Sequence, residues 1–380
     1  PCQLRPTFPN GQRDFFTPSV YQGRMRWTAW VLAMNSIKFS GYIRRIMKQL
    51  ILYSLALGAV VSASGQNGET QAQARARKYP ALPEGVERGA VTIWSDGTRM
   101  AGDLSLPKDR KPNQKLPAIV FANGTGGAKR KLPVRLGPVF ASNGYAFLAF
   151  DYRGWGESDS QLMMVQPMPE TDETGEVMVK ARAIRWQVDF AGQVEDIRNA
   201  IAFLVGEPGI DGSAIGLLGT SYGGGLVTWV AAHEPRVKCL VMQVPGMAAG
   251  RSGKDPFPPY ALKVKQARGE TEPVPYKTQR RGKKGSRYYH MRYNTARSID
   301  YVPVATASQI KVPTLIIDVE KDELLNFEKN GKRVADILKK EGTIVKHHLL
   351  NGATHYSIYN EHLKHVLELQ IDWLNEHLKN

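Results

Sequence analysis

The stretch Gly219-Thr220-Ser221-Tyr222-Gly223-Gly224 decides the fold of this 380-residue chain. It follows the apolar run Ala214–Leu218, which predicts a buried strand, and it precedes a helical pattern over Gly225–Ala232. A strand, Gly-x-Ser-x-Gly and a helix in this order form the context of a nucleophile elbow, a turn that strains the backbone of its serine. Gly219 and Gly223 are predicted to be sterically required. The alternative interpretation is an ordinary Ser/Gly helix start.

Other apolar runs predict an α/β fold with a doubly wound, mostly parallel sheet. Continuous apolar character is typical of strands buried on both faces of such a sheet. Turn residues Ser95-Asp96-Gly97 predict a hairpin between the first two strands, and apolar residues at helical spacing predict two helices. The predicted strands are Ala90–Trp94, Met100–Leu106, Pro117–Phe121, Tyr145–Phe150, Cys239–Val244, Thr314–Ile317 and Thr343–Leu349, and the helices are about Val188–Val205 and Tyr356–Leu378.

A serine hydroxyl needs a base to take its proton and a carboxylate to orient that base. In this topology the acid and then the histidine follow the serine along the chain. Asp322 comes after a predicted strand, where a loop can turn it towards Ser221, and it is the preferred acid. Asp318 and Glu320 are competing candidates. His355 lies after the last predicted strand and is the predicted base.

Hydrolysis by a serine also requires two backbone N–H groups that stabilise a developing oxyanion. Tyr222, immediately after the serine, is predicted to supply one of them. The glycine-rich loop Asn123–Gly127 is predicted to supply the other, with Thr125 as the preferred donor and Gly126 next. A phosphate-binding loop is the rival interpretation, but the Gly-Lys-Ser/Thr ending of such loops is missing here.

These motifs resemble the α/β-hydrolase superfamily over about residues 88–378. The pattern Gly-x-Ser-Tyr-x-Gly, with a tyrosine directly after Ser221, resembles the branch of this superfamily that contains Xaa-Pro dipeptidyl-peptidase-like and dienelactone-hydrolase-like proteins. The resemblance implies ester or amide hydrolysis through an acyl-enzyme, although many relatives have His-Gly where this chain has Asn123-Gly124. The motifs that carry the resemblance are Asn123–Gly127, Asp151–Ser158, Gly219–Gly224, Asp322 and His355. Within Asp151–Ser158 we expect structural support, with Arg153 paired to a carboxylate.

Residues 1–63 are predicted to comprise upstream sequence and a secretory signal peptide that starts at Met47 or Met34. The apolar run Leu50–Ala63 follows basic residues and ends in the small residues Val61-Ser62-Ala63, which is the pattern of a cleaved signal. The run is too short to span a bilayer. We predict cleavage near Ala63, export to the periplasm or the medium, and no stable membrane anchor after cleavage.

The remaining chain is predicted to form a linker over residues 64–87 and one domain over residues 88–380. An insertion at about residues 246–311 is too long for an ordinary connection. It contains 14 Lys and Arg against 4 Asp and Glu, including Arg280, Arg281, Lys283 and Lys284. We interpret it as a lid whose charge favours anionic substrates.

The leading hypothesis is an exported serine esterase that acts on small-molecule substrates. A small peptidase or amidase of Xaa-Pro dipeptidyl-peptidase-like type would use the same residues. A third alternative is a non-catalytic binder of anionic surfaces, which would not need the ordered Ser, Asp and His. The sequence lacks the spacing of C-x-x-C and H-E-x-x-H metal motifs, so we expect neither a metal nor a cofactor. Nucleic-acid binding is not expected.

Overall fold

The computed structural model of the protein describes residues 80–111, 113–247, 258–272, 274, 290–298 and 301–379. The predicted signal peptide, its cleavage site and residues 64–79 of the linker lie outside these ranges. So does the basic run from Arg280 to Lys284 in the insertion. Among the described helices, none has the length and apolar character that crossing a bilayer would require.

Twelve strands and seven α-helices make up the described part of the chain. The strands are β1 (Val86–Ser95), β2 (Thr98–Pro107), β3 (Leu116–Ala122), β4 (Ala146–Phe150), β5 (Leu162–Met164), β6 (Ala181–Ala183), β7 (Gln187–Val188), β8 (Ile210–Thr220), β9 (Val237–Gln243), β10 (Arg292–Tyr293), β11 (Thr314–Lys321) and β12 (Val345–Thr354). The helices are α1 (Pro133–Ser142), α2 (Phe190–Gly206), α3 (Tyr222–His233), α4 (Pro258–Ala267), α5 (Pro303–Thr306), α6 (Gly331–Lys340) and α7 (Leu363–Leu378).

Eight strands form one sheet in the order β1-β2-β4-β3-β8-β9-β11-β12. The β1/β2 and β2/β4 pairs are antiparallel, and all other pairs in this sheet are parallel, so the predicted fold class is confirmed. The hairpin prediction is also confirmed, because Asp96 and Gly97 connect paired residues Ser95 and Thr98. Both turn residues have positive φ, 45° and 72°, as a two-residue turn of this kind requires.

Helices cover both faces of the sheet because successive strand residues point to opposite sides. In β3, Val120 packs in a core with α2, α3 and α6, whereas Ile119 and Phe121 pack in a second core with α1 and α7. All three side chains are fully buried. This burial on both faces explains why the strands read as continuous apolar runs.

The last helix begins later than its apolar spacing predicts. It starts at Leu363 rather than Tyr356, and a short 3₁₀ helix, Ser357–Tyr359, precedes it. The Ser357 hydroxyl accepts a hydrogen bond from the Thr354 N–H, and the Thr354 hydroxyl accepts one from the Ser357 N–H. Such side-chain bonds compete with helix formation. They leave His355 in a turn instead of on a helix.

Candidate active site

Ser221 lies in the tight turn between β8 and α3 and has a strained backbone. Its φ of 53° and ψ of −121° are unusual for a residue with a side chain. Three hydrogen bonds hold this conformation: the Ser221 N–H donates to Gln243 O at 3.0 Å, and its carbonyl accepts from the N–H groups of Gly224 and Gly246 at 2.9 and 2.8 Å. Strain of this type persists only where the surroundings enforce it, and it is common at functional sites.

Two glycines flank Ser221 for a steric reason. A Cβ atom on Gly223 would lie 2.2 Å from the carbonyl oxygen of Ala122. A Cβ atom on Gly219 would lie 2.5 Å from both Gly223 O and Val227 Cγ2. The strand and the helix therefore approach each other too closely for any side chain at these positions.

Ser221, His355 and Asp322 form a continuous chain of hydrogen bonds. The Ser221 Oγ and His355 Nε2 atoms are 3.1 Å apart, and His355 Nδ1 is 2.9 Å from Asp322 Oδ2. The His355 and Asp322 side chains are each 3% exposed. The structure thus brings together the three residues that the sequence analysis selected as nucleophile, acid and base.

The environment of Asp322 favours its ionised form. Burial raises its pKa, but the hydrogen bond and charge of His355 and the N–H groups of Leu325 and Leu324 outweigh burial, so the pKa falls below its usual value. An ionised carboxylate only accepts hydrogen bonds, so His355 Nδ1 is the donor to it. In neutral His355, Nε2 is then left to accept the proton of the Ser221 hydroxyl.

The two competing acids have other partners. Asp318 Oδ2 lies 2.8 Å from His347 Nε2, on the neighbouring strand β12. Burial raises the pKa of Asp318, and the contact with His347 offsets this only in part. Glu320 accepts a hydrogen bond from the Gly352 N–H at 2.7 Å.

An irregularity in β12 aligns His355 with Asp322. Val319 of β11 is paired with Leu350, but Lys321 is paired with Thr354, so β12 contains two more residues than β11 between these pairs. Gly352 lies in this bulge with φ of 71°. The two extra residues shift the pairing of β12 with β11 by two positions, so His355 lies opposite Asp322.

The loop Asn123–Gly127 passes directly beside Ser221. A Cβ atom on Gly124 would lie 3.2 Å from Ser221 Cβ, and Thr125 lines the same cavity as Ser221. The Gly127 N–H donates to Gly124 O at 2.9 Å, and Gly126 has φ of 65°, so Thr125 and Gly126 occupy the centre of a turn.

Charged side chains anchor the end of this loop. Lys129 is 1% exposed, and its ammonium group contacts Asp103 and Glu157, each at 2.9 Å. Its N–H donates to Asp151 Oδ1 at 2.7 Å. Burial raises the pKa of Asp151 to about 6 despite this hydrogen bond and the charge of Lys129. The network joins the loop to the Asp151–Ser158 motif.

The expectation for Arg153 is confirmed. Its guanidinium contacts the carboxylate of Asp196, which is wholly buried, at 2.6 Å, and that of Asp96 at 3.1 Å. A Cβ atom on Gly156 would lie 2.1 Å from the carboxylate of Asp151. The motif therefore contributes packing and charge pairing next to the site.

Tyr222 is the first residue of α3, where N–H groups lack a partner within the helix. Its side chain points away from the turn, into an aromatic cluster with Trp155 and Phe190 at centroid distances of 6.5 and 5.2 Å. Its hydroxyl donates a hydrogen bond to the Gln193 side chain. These contacts fix the start of the helix beside Ser221.

A cavity of about 800 Å³ opens onto Ser221 and His355. Its lining residues are Asn123, Gly124, Thr125, Gly127, Lys131, Leu132, Arg135, Thr220, Ser221, Tyr293, Leu324, Leu325, His355, Tyr356 and Tyr359. Tyr293 is the described residue of the insertion that contributes to this lining. Residues 248–257, 273, 275–289 and 299–300 lie outside the described part, so the lid stays a prediction.

The sequence analysis missed several contacts around the site. Glu323 accepts the backbone N–H of His355 at 2.8 Å. Val244 has φ of 40°, which is strained for a β-branched residue, and it leads to Gly246, whose N–H binds Ser221 O. The Pro245-Gly246 pair after β9 is a sequence signal from which a turn here could have been predicted. Across the described ranges, no three His, Cys, Asp or Glu side chains gather as a metal site.

Comparisons with known protein families agree with this architecture. The prolyl oligopeptidase family matches residues 190–380, half of the chain, and the X-Pro dipeptidyl-peptidase (S15) family matches residues 96–254. Fold and comparisons together define a hydrolase of the α/β-hydrolase superfamily. Within that superfamily, the chain belongs to the prolyl oligopeptidase family.

The individual relatives share between about a fifth and a third of their aligned residues with this chain. The chain is 26% identical over 296 residues to the "Uncharacterized 31.7 kDa protein in traX-finO intergenic region" of Escherichia coli, covering 70% of this chain and 93% of that protein. It is 32% identical over 150 residues to thiohydrolase aneE of Aspergillus aculeatus, covering 40% and 39%. The α/β hydrolase GrgF from Penicillium sp. sh18 superposes with a TM-score of 0.59 at 19% identity, covering 77% of this chain and 100% of GrgF, which shows a shared fold.

Proposed function

We propose that this protein is an exported serine hydrolase that cleaves carboxylic esters through an acyl-enzyme. Ser221 is the nucleophile, His355 the general base and Asp322 the acid that orients it. The observation that carries the proposal is the hydrogen-bond chain from Asp322 Oδ2 through His355 to Ser221 Oγ, with steps of 2.9 and 3.1 Å. A neutral imidazole held this way can accept the serine proton.

In acylation, His355 Nε2 takes the hydroxyl proton while Ser221 Oγ bonds to the ester carbonyl carbon. The carbonyl π electrons move onto oxygen, and the N–H groups of Tyr222 and Thr125 stabilise the resulting oxyanion. Each such donor contributes about 10²–10³ in rate. When the carbonyl re-forms, the carbon–oxygen bond to the alcohol breaks, and His355 gives its proton to the leaving alkoxide.

Deacylation repeats these steps with water. His355 Nε2 removes a proton from a water molecule whose oxygen attacks the acyl carbon, and the ester bond to Ser221 then breaks. The protonated His355 returns the proton to Ser221 Oγ, which releases the carboxylic acid and restores the enzyme. The low pKa of Asp322 keeps a negative charge beside the imidazolium in both half-reactions.

A small peptidase or amidase is the second candidate, because the chain belongs to the prolyl oligopeptidase family. His355 would then protonate an amine leaving group.

The thiohydrolase name of the Aspergillus relative is consistent with cleavage of an activated acyl bond. Esters are favoured here because their leaving groups need the least assistance from a general acid.

The test is a comparison of two substrate panels with the purified protein. We expect turnover of p-nitrophenyl esters of graded chain length, with kcat/KM far above that for Xaa-Pro and aminoacyl amides. Higher kcat/KM for the amides would assign the peptidase function instead. No turnover in either panel would favour the non-catalytic binder of anionic surfaces.

Export is part of the proposal and rests on the sequence of residues 1–63. The basic segment, the apolar run Leu50–Ala63 and the small residues before the predicted cleavage site support it. The cleaved protein would then carry no stable membrane anchor.

We expect the mature protein to begin near Ser64 or Gln66. Expression of the full chain, followed by N-terminal sequencing of material from the periplasm or medium, measures this. Replacing two apolar residues with charge, as in Leu52→Arg with Leu55→Arg, should retain the protein in the cytoplasm. An uncleaved product recovered from membranes would contradict the prediction.

A further inference from the structure

The cavity beside Ser221 has a positive lining. Its charged residues are Lys131 and Arg135, and the described residues that line it include no Asp or Glu. The carboxylate of Asp322 lies behind His355 and is almost fully buried. The described part of the lining therefore presents cationic side chains and no carboxylate to a ligand.

Arg135 lies in the first turn of α1, and neutral groups hold it in place. Its Nη1 atom donates to the Tyr359 carbonyl oxygen at 3.0 Å and contacts Asn360 Oδ1 at 3.4 Å. Both acceptors belong to the turn that follows His355. Within the described part of the chain, no carboxylate forms an ion pair with this guanidinium, so its charge is not neutralised there.

The remaining donors of Arg135 have the geometry that binds a carboxylate. Nε and Nη2 make no hydrogen bond to any described residue, and their N–H groups point in the same direction. This edge of a guanidinium matches the two oxygens of a carboxylate in a bidentate contact. The bonds from Nη1 to Tyr359 and Asn360 orient the group in advance, which lowers the entropy cost of binding.

Two further features add positive charge near Arg135. Lys131 is exposed four residues before Arg135 and lines the same cavity, adding a second positive charge. The N-terminus of α1, next to Leu132, adds the partial positive charge of a helix end. Both favour an anion in this part of the cavity.

The rest of the lining is suited to an apolar or aromatic segment. Leu132, Leu324 and Leu325 provide apolar surface, and Tyr356 and Tyr359 provide rings. We propose that Arg135, assisted by Lys131, binds a carboxylate of the substrate, so that the preferred esters carry this group several bonds from the scissile carbonyl. This inference rests on the proposed esterase function and extends it to a substrate class.

The experiment compares matched anionic and neutral esters. The p-nitrophenyl monoester of adipic acid is paired with its adipamate analogue, and 4-carboxyphenyl butyrate with 4-carbamoylphenyl butyrate. We expect kcat/KM to favour the anionic member of at least one pair. In Arg135→Gln this ratio should fall by about fivefold, the upper end of what one ion pair with an exposed side chain contributes.

Two variants guard against a purely structural effect. Arg135→Lys keeps the charge but loses the bidentate edge, so an intermediate ratio is expected. Lys238→Gln is the matched control, because Lys238 is exposed and donates to the carbonyl oxygen of Pro235, a neutral partner. It lies near the start of β9, at the opposite end of the sheet from Ser221. Its ratio should equal that of the unmodified protein.

The outcomes separate this inference from the proposed function. Turnover of neutral esters with the same ratio in the unmodified protein and Arg135→Gln overturns the inference and keeps the esterase. If no ester is hydrolysed, calorimetry with Ser221→Ala decides: monomethyl adipate should bind more tightly than methyl adipamate, and adding Arg135→Gln should remove the difference. Equal binding of both ligands would overturn the inference.

Discussion

Ser221→Ala and His355→Ala are each expected to lower kcat by about 10⁴–10⁶ on the best ester, because nucleophile and base act as a unit. The alanine variant of Ser221 has no atom to form the acyl-enzyme, and that of His355 has no group to accept the proton. The double variant should be no slower than the slower single variant. Initial rates at saturating ester, measured over a long time course, give these values.

A matched control for the serine comes from the same strand. Ser213 lies near the start of β8, with its hydroxyl bonded to Asp211, at the opposite end from Ser221. Ser213→Ala should retain the activity of the unmodified protein. Substantial esterase activity in a pure, folded Ser221→Ala sample would contradict the assignment of Ser221 as the nucleophile.

Asp322→Asn is expected to lower kcat by about 10⁴, the second largest effect. The amide is neutral, so it no longer stabilises the imidazolium of His355, and it can donate to Nδ1 and select the wrong tautomer. The N–H groups of Leu324 and Leu325, which now bind Asp322 Oδ1, can still bind the amide oxygen, so the loop should keep its shape. Comparison of kcat for the folded variants measures the effect.

Asp318→Asn is the natural control for this prediction. Asp318 is also buried and also contacts a histidine, but that histidine is His347, which does not contact Ser221 in the structure. Its loss should cost stability more than activity, because it removes the carboxylate that His347, a partly buried side chain, contacts. If Asp318→Asn lowers kcat more than Asp322→Asn, then Asp318 is the acid.

The fold was predictable because its main signals are local. Strands buried on both faces must be continuously apolar, and the elbow requires glycine at positions 219 and 223 for steric reasons that hold in any protein. The same locality explains the hairpin at Asp96-Gly97, whose positive φ values few other residues adopt. The start of the last helix was predicted wrongly, since apolar spacing does not register the competing side-chain bonds of Thr354 and Ser357.

The chain order of Ser221, Asp322 and His355 selected the candidate site, but the sequence left Asp318 and Glu320 open as acids. Their distinction depends on the bulge in β12 that pairs Lys321 with Thr354, and pairing register is a property of two strands together. Arg135 is oriented in a similar way. It donates to Tyr359 and Asn360 in the turn after His355, and these residues are more than 200 positions away in the chain.

The sequence by itself determined the fold class and the residue types of the site, because these follow from local sterics and periodicity. Tertiary structure decided which carboxylate meets His355 and which cations line the cavity, because those contacts join segments that are distant in sequence.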